Sequence, residues 1–223
     1  MKLTRPFPRP LAALALAGAI GVATVPALAV QDSQPQLPGQ MDGSRVTAGT
    51  YQTDPAHTLV GWRVNHFGFN DYFGSFGDAE GTLTIDPADP SAAKVDVTVP
   101  ITSVSVVSAG LRDHLLRAGE NGGKPDFFGP EPAPARFVSD SVTVNEDGTS
   151  ASIMGQLTMN GVTRPVTIEA QFTGAGAHPR SQVATIGFEG TTTIRRSEFG
   201  IDTAIPMVSD EVELMISAAF EKQ

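Results

Sequence analysis

Apolar residues recur at every second position through long parts of this 223-residue chain, and that alternation limits what the chain can fold into. Val60, Trp62 and Val64 alternate with Gly61 and Arg63. A period of two is typical of strands with one buried face, because successive side chains of a strand point to opposite sides. Further segments with the same alternation lie at 94–99, 137–144, 153–159, 166–172, 186–194 and 212–220.

Turn signals separate these segments. Asn160-Gly161 is the sharpest, because both residues tolerate the positive φ angles of a type I′ hairpin. Only 111–117 has apolar residues at helical spacing, which predicts one short helix. About eight strands without a βαβ rhythm leave two candidate folds, a sandwich and a closed up-and-down barrel. The strand pattern alone does not choose between them.

Small residues at inward positions favour the barrel. Gly81, Gly155, Thr192 and Ala218 share the inward faces with larger apolar residues, and these faces carry almost no charge. Small inward residues leave room for a ligand in an eight-stranded barrel, although they can also relieve crowding in a solid core. We therefore predict an all-β fold, a closed antiparallel β-barrel of about eight strands that is lipocalin-like and carries one short helix.

Residues 1–29 have the plan of a secretory signal peptide. Three basic residues precede an apolar stretch at 11–25, and Ala27 and Ala29 supply the small residues of a cleavage site. The alternative is a retained membrane anchor, but the stretch is shorter than the roughly 20 apolar residues of a membrane span. We expect cleavage after Ala29 and export to the periplasm.

The remaining chain divides into a linker and one domain. Residues 30–48 are rich in Gln, Pro and Gly, which predicts a flexible linker, and residues 49–223 carry the strand pattern. Removing the three basic residues of the leader lowers the net charge from -9 to -12. So acidic a protein is not expected to bind nucleic acid, because binding to the phosphate backbone needs a basic surface.

Residues that carry chemistry are sparse. The chain has no Cys, and no Gly-x-Ser-x-Gly motif marks a nucleophilic serine. Asp113, His114 and Asp126 are the residues an acid–base mechanism would use, but a polar cluster at a helix start more often caps the helix and fixes a loop. The four histidines lack the paired spacing of metal ligands. We predict no catalytic residues, no metal and no cofactor other than a bound lipid.

Several short motifs follow one another along the barrel domain. They lie at 51–58, 74–76, 112–115, 126–128, 135–137, 155–163 and 196–201. The most specific are GQLTMNGVT at 155–163 and RSEFGI at 196–201. In this order they resemble the YceI-like family of periplasmic polyisoprenoid-binding proteins over nearly the whole domain. One departure is an insertion at 116–125, which separates two motifs that adjoin in most members.

The resemblance implies an extended lipocalin-like barrel with a tunnel for an isoprenoid chain, either a polyprenyl phosphate or the tail of an isoprenoid quinone. We therefore expect a periplasmic binding or carrier protein for such a lipid, in transient contact with a membrane. Two alternatives remain, an accessory to quinone redox chemistry at the membrane and an enzyme on an apolar substrate. An exposed strand edge or the insertion leaves a homodimer open.

Inward parity and the motifs predict which residues contact the lipid. The expected ligand-binding residues are Val60, Trp62, Val64, His66, Phe76, Leu83, Ile153, Leu157, Ile194 and Leu214. Trp62 and His66 also have ordinary alternatives, as packing for the barrel floor and as a core histidine.

A polar headgroup would need its own contacts, and three ionisable motif residues are candidates for them: His57, Arg112 and Arg196. Arg suits a phosphate because its planar guanidinium makes paired hydrogen bonds. On this hypothesis, Arg196→Gln weakens a phosphorylated polyprenol more than an uncharged one. The structural alternative pairs Arg196 with Glu198 or Asp202.

The leader gives the first testable prediction. The mature protein should begin at Val30 and be recovered from the periplasm without detergent. N-terminal sequencing and intact mass of the exported protein check it. Recovery of uncleaved Met1 on protein extracted from membranes would contradict it.

Overall fold

Eleven antiparallel strands and one α-helix make up the part of the chain that this computed structural model describes, residues 36–223. The strands are β1 (Gly49–Thr53), β2 (Leu59–His66), β3 (Asn70–Phe76), β4 (Glu80–Ile85), β5 (Lys94–Val99), β6 (Ser105–Val106), β7 (Ala135–Val144), β8 (Ser150–Met159), β9 (Val162–Ala177), β10 (Ala184–Arg195) and β11 (Glu211–Lys222). The helix α1 is Ala109–Leu116. The predicted signal peptide and cleavage site lie outside the described residues.

Eight of these strands close a barrel. Their order is β1, β4, β5, β7, β8, β9, β10 and β11, and β11 then pairs with β1. The closing pair places Tyr51 opposite Lys222 and Thr53 opposite Phe220. Closure leaves none of the eight strands as an open edge within the barrel. The predicted closed antiparallel barrel with one short helix is confirmed.

The other three strands extend the barrel wall beyond β1. The strand β11 pairs with β2 through residues 213–217 and with β1 through residues 220–222, so one strand serves two partners in succession. The strand β3 then pairs with β2, and the two-residue β6 pairs with β3. We call β2, β3 and β6 the extension.

The helix packs on the extension. Its N-cap is Ser108, whose side-chain oxygen accepts a hydrogen bond from Leu111 N at 3.2 Å, so the helix begins two residues earlier than the apolar spacing predicts. Leu115 is buried with Trp62 and Val104. The insertion at 116–125 follows directly, and Lys124 in it forms an ion pair with Asp202 at 3.2 Å.

Two of the four small inward residues, Gly81 and Gly155, do not make room in the lumen as predicted. A Cβ atom at Gly155 would lie 2.4 Å from the carbonyl oxygen of Val138 and 2.5 Å from the ring of Phe137. A Cβ atom at Gly81 would lie 2.2 Å from the carbonyl oxygen of Asp96. Both glycines permit close backbone packing and neither lines the lumen, so the expectation that they leave room for a ligand is wrong.

Part of the predicted flexible linker lies on the barrel. Gln40 N donates to the carbonyl oxygen of Ala175 at 3.0 Å, and Ala175 N donates to that of Gln40 at 2.8 Å. The close approach needs Gly176, because a Cβ atom there would lie 2.0 Å from the carbonyl oxygen of Pro38. These contacts hold the segment around Gln40 against β9.

Arg196 fixes the long connection between β10 and β11. Its side chain is 5% exposed and donates four hydrogen bonds of 2.9–3.1 Å to backbone carbonyl oxygens. The acceptors are Ile201, Thr203, Val208 and Ser209. Burial lowers the pKa of the guanidinium, and nearby carboxylates oppose that shift. Arg196 is therefore a brace, and its partners are carbonyl groups rather than the side chains of Glu198 or Asp202.

This brace gives a prediction for stability. Arg196→Gln should lower the free energy of unfolding by about 3 kcal/mol, because buried carbonyl groups lose charged donors. The matched control is Arg195→Gln, since Arg195 is exposed and its ion pair with Glu211 spans 3.9 Å. The control should lose less than about 1 kcal/mol. Urea denaturation of both variants checks this, and equal losses would contradict the brace.

Candidate functional site

A single large cavity runs through the barrel into the extension. Its volume is about 850 Å³, and the atoms that line it are overwhelmingly apolar. Val46, Ile85 and Phe172 line it at one end of the barrel, whereas Tyr72 and Leu111 line it in the extension. We call this cavity the tunnel.

The register of β10 and β11 shows why the lumen stays open. Inward residues of unequal size face each other across this pair: Phe188 opposite Ala218, Gly190 opposite Ile216, and Thr192 opposite Leu214. At these three levels each large side chain has a small neighbour on the adjacent strand, which leaves space in the lumen there, whereas Ile194 and Val212 stand opposite each other at the next level. Thr192 and Ala218 both line the tunnel, as their inward parity predicts.

All ten residues predicted to contact a ligand line the tunnel: Val60, Trp62, Val64, His66, Phe76, Leu83, Ile153, Leu157, Ile194 and Leu214. They come from β2, β3, β4, β8, β10 and β11. Parity along each strand was sufficient to identify them, because the barrel places every second residue inward. Their contact with a lipid stays a prediction.

The sequence did not identify several other lining residues. Phe172 and Phe188 pack together, with ring centroids 5.9 Å apart, toward the end of the barrel away from the extension. Tyr72 of β3 and Leu111 of α1 line the opposite region. The inward parity of β9 and β10 and the helical spacing in α1 were signals for three of these, but the motif at 74–76 covered only the end of β3 and gave no signal for Tyr72.

Trp62 both packs the wall and lines the tunnel. It is 8% exposed, stacks near Tyr72 at 6.4 Å, and lies over Gly74. A Cβ atom at Gly74 would lie 2.2 Å from the indole ring, so only Gly fits beneath it. The indole Nε1 is buried and has no hydrogen-bond partner among the described residues.

Two of the three headgroup candidates lie outside the tunnel. His57 is exposed and its Nδ1 lies 2.5 Å from Asp54 Oδ2. Partial burial raises the pKa of Asp54, but its hydrogen bonds with His57 and Ala56 outweigh burial and leave that pKa lowered. Arg112 is also exposed and donates to backbone carbonyl oxygens. Neither residue lines the tunnel, and their contact with a headgroup stays a prediction.

The arginines that line the tunnel already have hydrogen-bond partners within the protein. Arg196 lines it, but its donors point to the four backbone carbonyl oxygens of its own loop. Arg136 also lines it and makes two hydrogen bonds with Asp96, at 2.9 and 2.6 Å, which lower the pKa of that carboxyl group. Among residues 36–223, no Lys or Arg that lines the tunnel is left without such partners.

Two histidines line the tunnel, His66 at the end of β2 and His114 on α1. His66 is half-buried with its ring edge-on to Phe67 at 4.3 Å. His114 Nε2 lies 2.8 Å from Asp126 Oδ2, and Arg117 donates to the same oxygen at 2.7 Å. The hydrogen bond from Arg117 and then that from His114 lower the pKa of Asp126.

The cluster around Asp126 joins the end of α1 to the loop that follows it. This geometry supports a loop-fixing role, and Asp113 is exposed and takes no part in these contacts. Within residues 36–223, no group of three His, Cys, Asp or Glu side chains is arranged to hold a metal ion. No helix in the same range is long and apolar enough to cross a membrane.

Comparison with solved structures identifies relatives of this fold. BcnA of Burkholderia cenocepacia is 21% identical and superposes with a TM-score of 0.60 over 75% of this chain and 98% of its own. A polyisoprenoid-binding domain from Saccharophagus degradans is 12% identical and superposes with a TM-score of 0.53 over 78% of this chain and 98% of its own. At these identities the likeness concerns the fold.

Sequence comparison identifies the family. A UPF0312 protein of Pseudomonas aeruginosa is 40% identical over 173 residues, which is 76% of this chain and 85% of the relative. The model of the YceI-like domain matches residues 51–220, which include the extension, the helix and all of the barrel except the first two residues of β1 and the last two of β11. The chain therefore belongs to the YceI-like family.

Proposed function

We propose that this chain binds one long apolar lipid of the polyisoprenoid type in the tunnel and acts as its carrier. The observation that carries the proposal is the continuous apolar tunnel of about 850 Å³. That volume lies in the upper part of the range of about 300–1,000 Å³ for ligand pockets. The strands β10 and β11, of 12 residues each, span about 40 Å, which suits an extended chain. The name of the Saccharophagus relative supports the ligand class.

The electrostatics of the tunnel favour an uncharged headgroup. A phosphate taken out of water needs a cation or several donors, and the two arginines at the wall are committed to other partners. The imidazole of His66 and the Nε1 of Trp62, which has no partner among the described residues, offer hydrogen-bonding groups instead. A polyprenol or an isoprenoid quinone thus fits the tunnel better than a polyprenyl phosphate. The fit to a quinone keeps an accessory role in quinone redox chemistry as the second candidate function.

The energetics favour exchange with a membrane rather than release into water. Burying a chain of about 40 carbons, at about 0.8 kcal/mol per CH₂, would gain roughly 30 kcal/mol relative to water. This exceeds the roughly 18–21 kcal/mol at which non-covalent affinities saturate. A bilayer shields the same chain from water equally well, so transfer between bilayer and tunnel is close to balance. The carrier therefore loads and unloads at a membrane, and the signal peptide proposed at 1–29 would place it in the periplasm.

A substitution inside the tunnel tests lipid binding. Leu157→Phe should lower the affinity for a polyprenol about tenfold, because the larger ring occupies space that the lipid needs. The free energy of unfolding should change by less than about 1 kcal/mol, whereas an added ring in a solid core costs about 1–3 kcal/mol. Fluorescence of Trp62, the one tryptophan in the chain, follows the titration, and urea denaturation follows stability.

The matched control for Leu157→Phe is Met154→Phe on the same strand. Met154 is 49% exposed on the outer face, so this change should leave both lipid affinity and stability almost unaltered. A variant at Leu157 that loses several kcal/mol of stability but keeps full lipid affinity would show that the lumen is a solid core. That result would reject the proposed binding site.

The headgroup preference is tested with a pair of lipids that differ only in charge. The uncharged polyprenol should bind at least about tenfold more tightly than the polyprenyl phosphate of equal length, since the phosphate loses water without gaining a cation. Titrations that follow Trp62 fluorescence give both affinities, and mass spectrometry of lipid bound to protein from its native periplasm gives the natural ligand. Tighter binding of the phosphate would reject the uncharged headgroup.

A further inference from the structure

Three exposed apolar side chains form a patch beside the end of the tunnel that lies in the extension. Phe69 is 89% exposed, Met207 is 55% exposed and Phe67 is 47% exposed. The turn between β2 and β3 meets the connection before β11, because Phe67 N donates to the carbonyl oxygen of Met207 at 2.6 Å. An isolated bridge between His66 and Val208 continues this contact. We call Phe67, Phe69 and Met207 the rim patch.

The backbone at the rim patch is held in an unfavourable conformation. Phe67 has φ 56°, in the left-handed region, and Gly68 follows with φ 73°. A bulky side chain rarely adopts such an angle, whereas Gly or Asn would do so at lower cost. Strained backbone tends to persist where a functional site requires it. The strain thus indicates that an aromatic ring is needed at this point of the turn.

Charge separates the two ends of the tunnel. Residues 66–70 and 203–209 contain no Asp, Glu, Lys or Arg, although the protein as a whole is strongly acidic. At the opposite end, the turns beside the tunnel carry exposed carboxylates at Asp86, Asp89 and Asp147. The tip formed by these two segments can therefore approach an apolar medium at a lower cost than the opposite end, where three carboxylates would leave water.

The rim patch is continuous with the tunnel wall. Phe67 and Val208 line the tunnel, while Phe69 and Met207, their neighbours in the chain, face outward. An apolar chain could therefore pass from a medium that covers the patch into the tunnel along apolar side chains. That path would spare the lipid an encounter with bulk water.

We propose that the rim patch inserts into the surface of a lipid bilayer and that the tunnel exchanges its ligand there. Aromatic side chains at a charge-free tip suit the boundary between headgroups and acyl chains. Another protein is a poorer occupant, because three such side chains offer at most about 500 Å² whereas a stable interface takes about 600–1,000 Å² from each partner. The identity of the exchanged lipid rests on the proposed function, but the docking itself does not.

The test measures binding of the whole mature protein to vesicles of phosphatidylcholine by flotation. Phe69→Ser combined with Met207→Ser should lower the partition coefficient about tenfold or more, because both side chains are exposed and neither lines the tunnel. The matched control combines Leu59→Ser with Met154→Ser, which are 45% and 49% exposed at the start of β2 and on β8. The control should float like the unaltered protein.

Varying the salt concentration and the charge of the lipid tests whether apolar or electrostatic contacts hold the protein on the vesicle. Binding should be unchanged when salt rises from about 0.1 to about 1 M, since screening does not weaken apolar insertion. Anionic phosphatidylglycerol should not strengthen it, because the protein is acidic. Binding that needs anionic lipid or disappears at high salt would overturn the proposal.

A second measurement separates docking from ligand binding. Polyprenol is supplied either from ethanol or from the vesicles, and Trp62 fluorescence follows its uptake. The double variant should bind polyprenol from ethanol normally but take it up from vesicles about tenfold more slowly. If the double variant and the unaltered protein take up polyprenol from vesicles at equal rates, the docking proposal is overturned. Normal uptake from ethanol still supports the proposed function. A failure of uptake from ethanol in the unaltered protein rejects the proposed function, and flotation still decides docking.

Light scattering completes the test. If the double variant dissociates a dimer while its partition into vesicles stays unchanged, the rim patch is a contact between copies of the chain and the proposal is overturned. A monomer that partitions less into vesicles supports it.

Discussion

The pairing of β11 with two strands in succession is the constraint on which the rest of the structure depends. Residues 220–222 close the barrel against β1, and residues 213–217 carry the extension through β2. If β11 ended after a normal strand length, the chain could form either the closed barrel or the extension. Because both use one strand, the inward face of β11 runs without a break from Phe220 to Val212, and the lumen continues as one tunnel. The tunnel is thus a consequence of strand length.

Alternation along the strands was sufficient to predict the barrel and the ten wall residues, because a strand fixes the side of each residue by parity alone. The inward direction of Leu157 and Leu214 could be predicted without knowing which residues lie beside them. The function of Gly155 depended on the carbonyl oxygen of Val138, which is distant in sequence, and parity could not reveal that contact. The same holds for Arg196, whose inward parity was read correctly but whose acceptors are carbonyl groups of a loop without any periodic pattern. The sequence therefore predicts which way a side chain points better than it predicts which groups that side chain contacts.

The commitment of the arginines decides the chemistry of the tunnel. A buried guanidinium is stable only when its donors are satisfied, and the fold satisfies those of Arg196 with carbonyl groups before any ligand arrives. A phosphate would have to compete with these bonds and with the Asp96 carboxylate beside Arg136. The groups left to contact a headgroup are the imidazole of His66 and the indole Nε1 of Trp62. The uncharged headgroup that we propose follows from this arrangement.

A tunnel that holds an apolar chain also has to solve the problem of access, and the two ends solve it differently. Where the turns carry Asp86, Asp89 and Asp147, hydration of the carboxylates keeps the barrel in water. Where the turn between β2 and β3 carries Phe67 and Phe69, hydration is poor and the cost of exposure persists until something covers the rings. Exposing this apolar end to water costs free energy, whereas covering it with a bilayer is favourable. The barrel therefore turns this end toward the bilayer that supplies its lipid. The strained turn at Phe67 and the charge-free segments around it are then parts of one device for loading the tunnel.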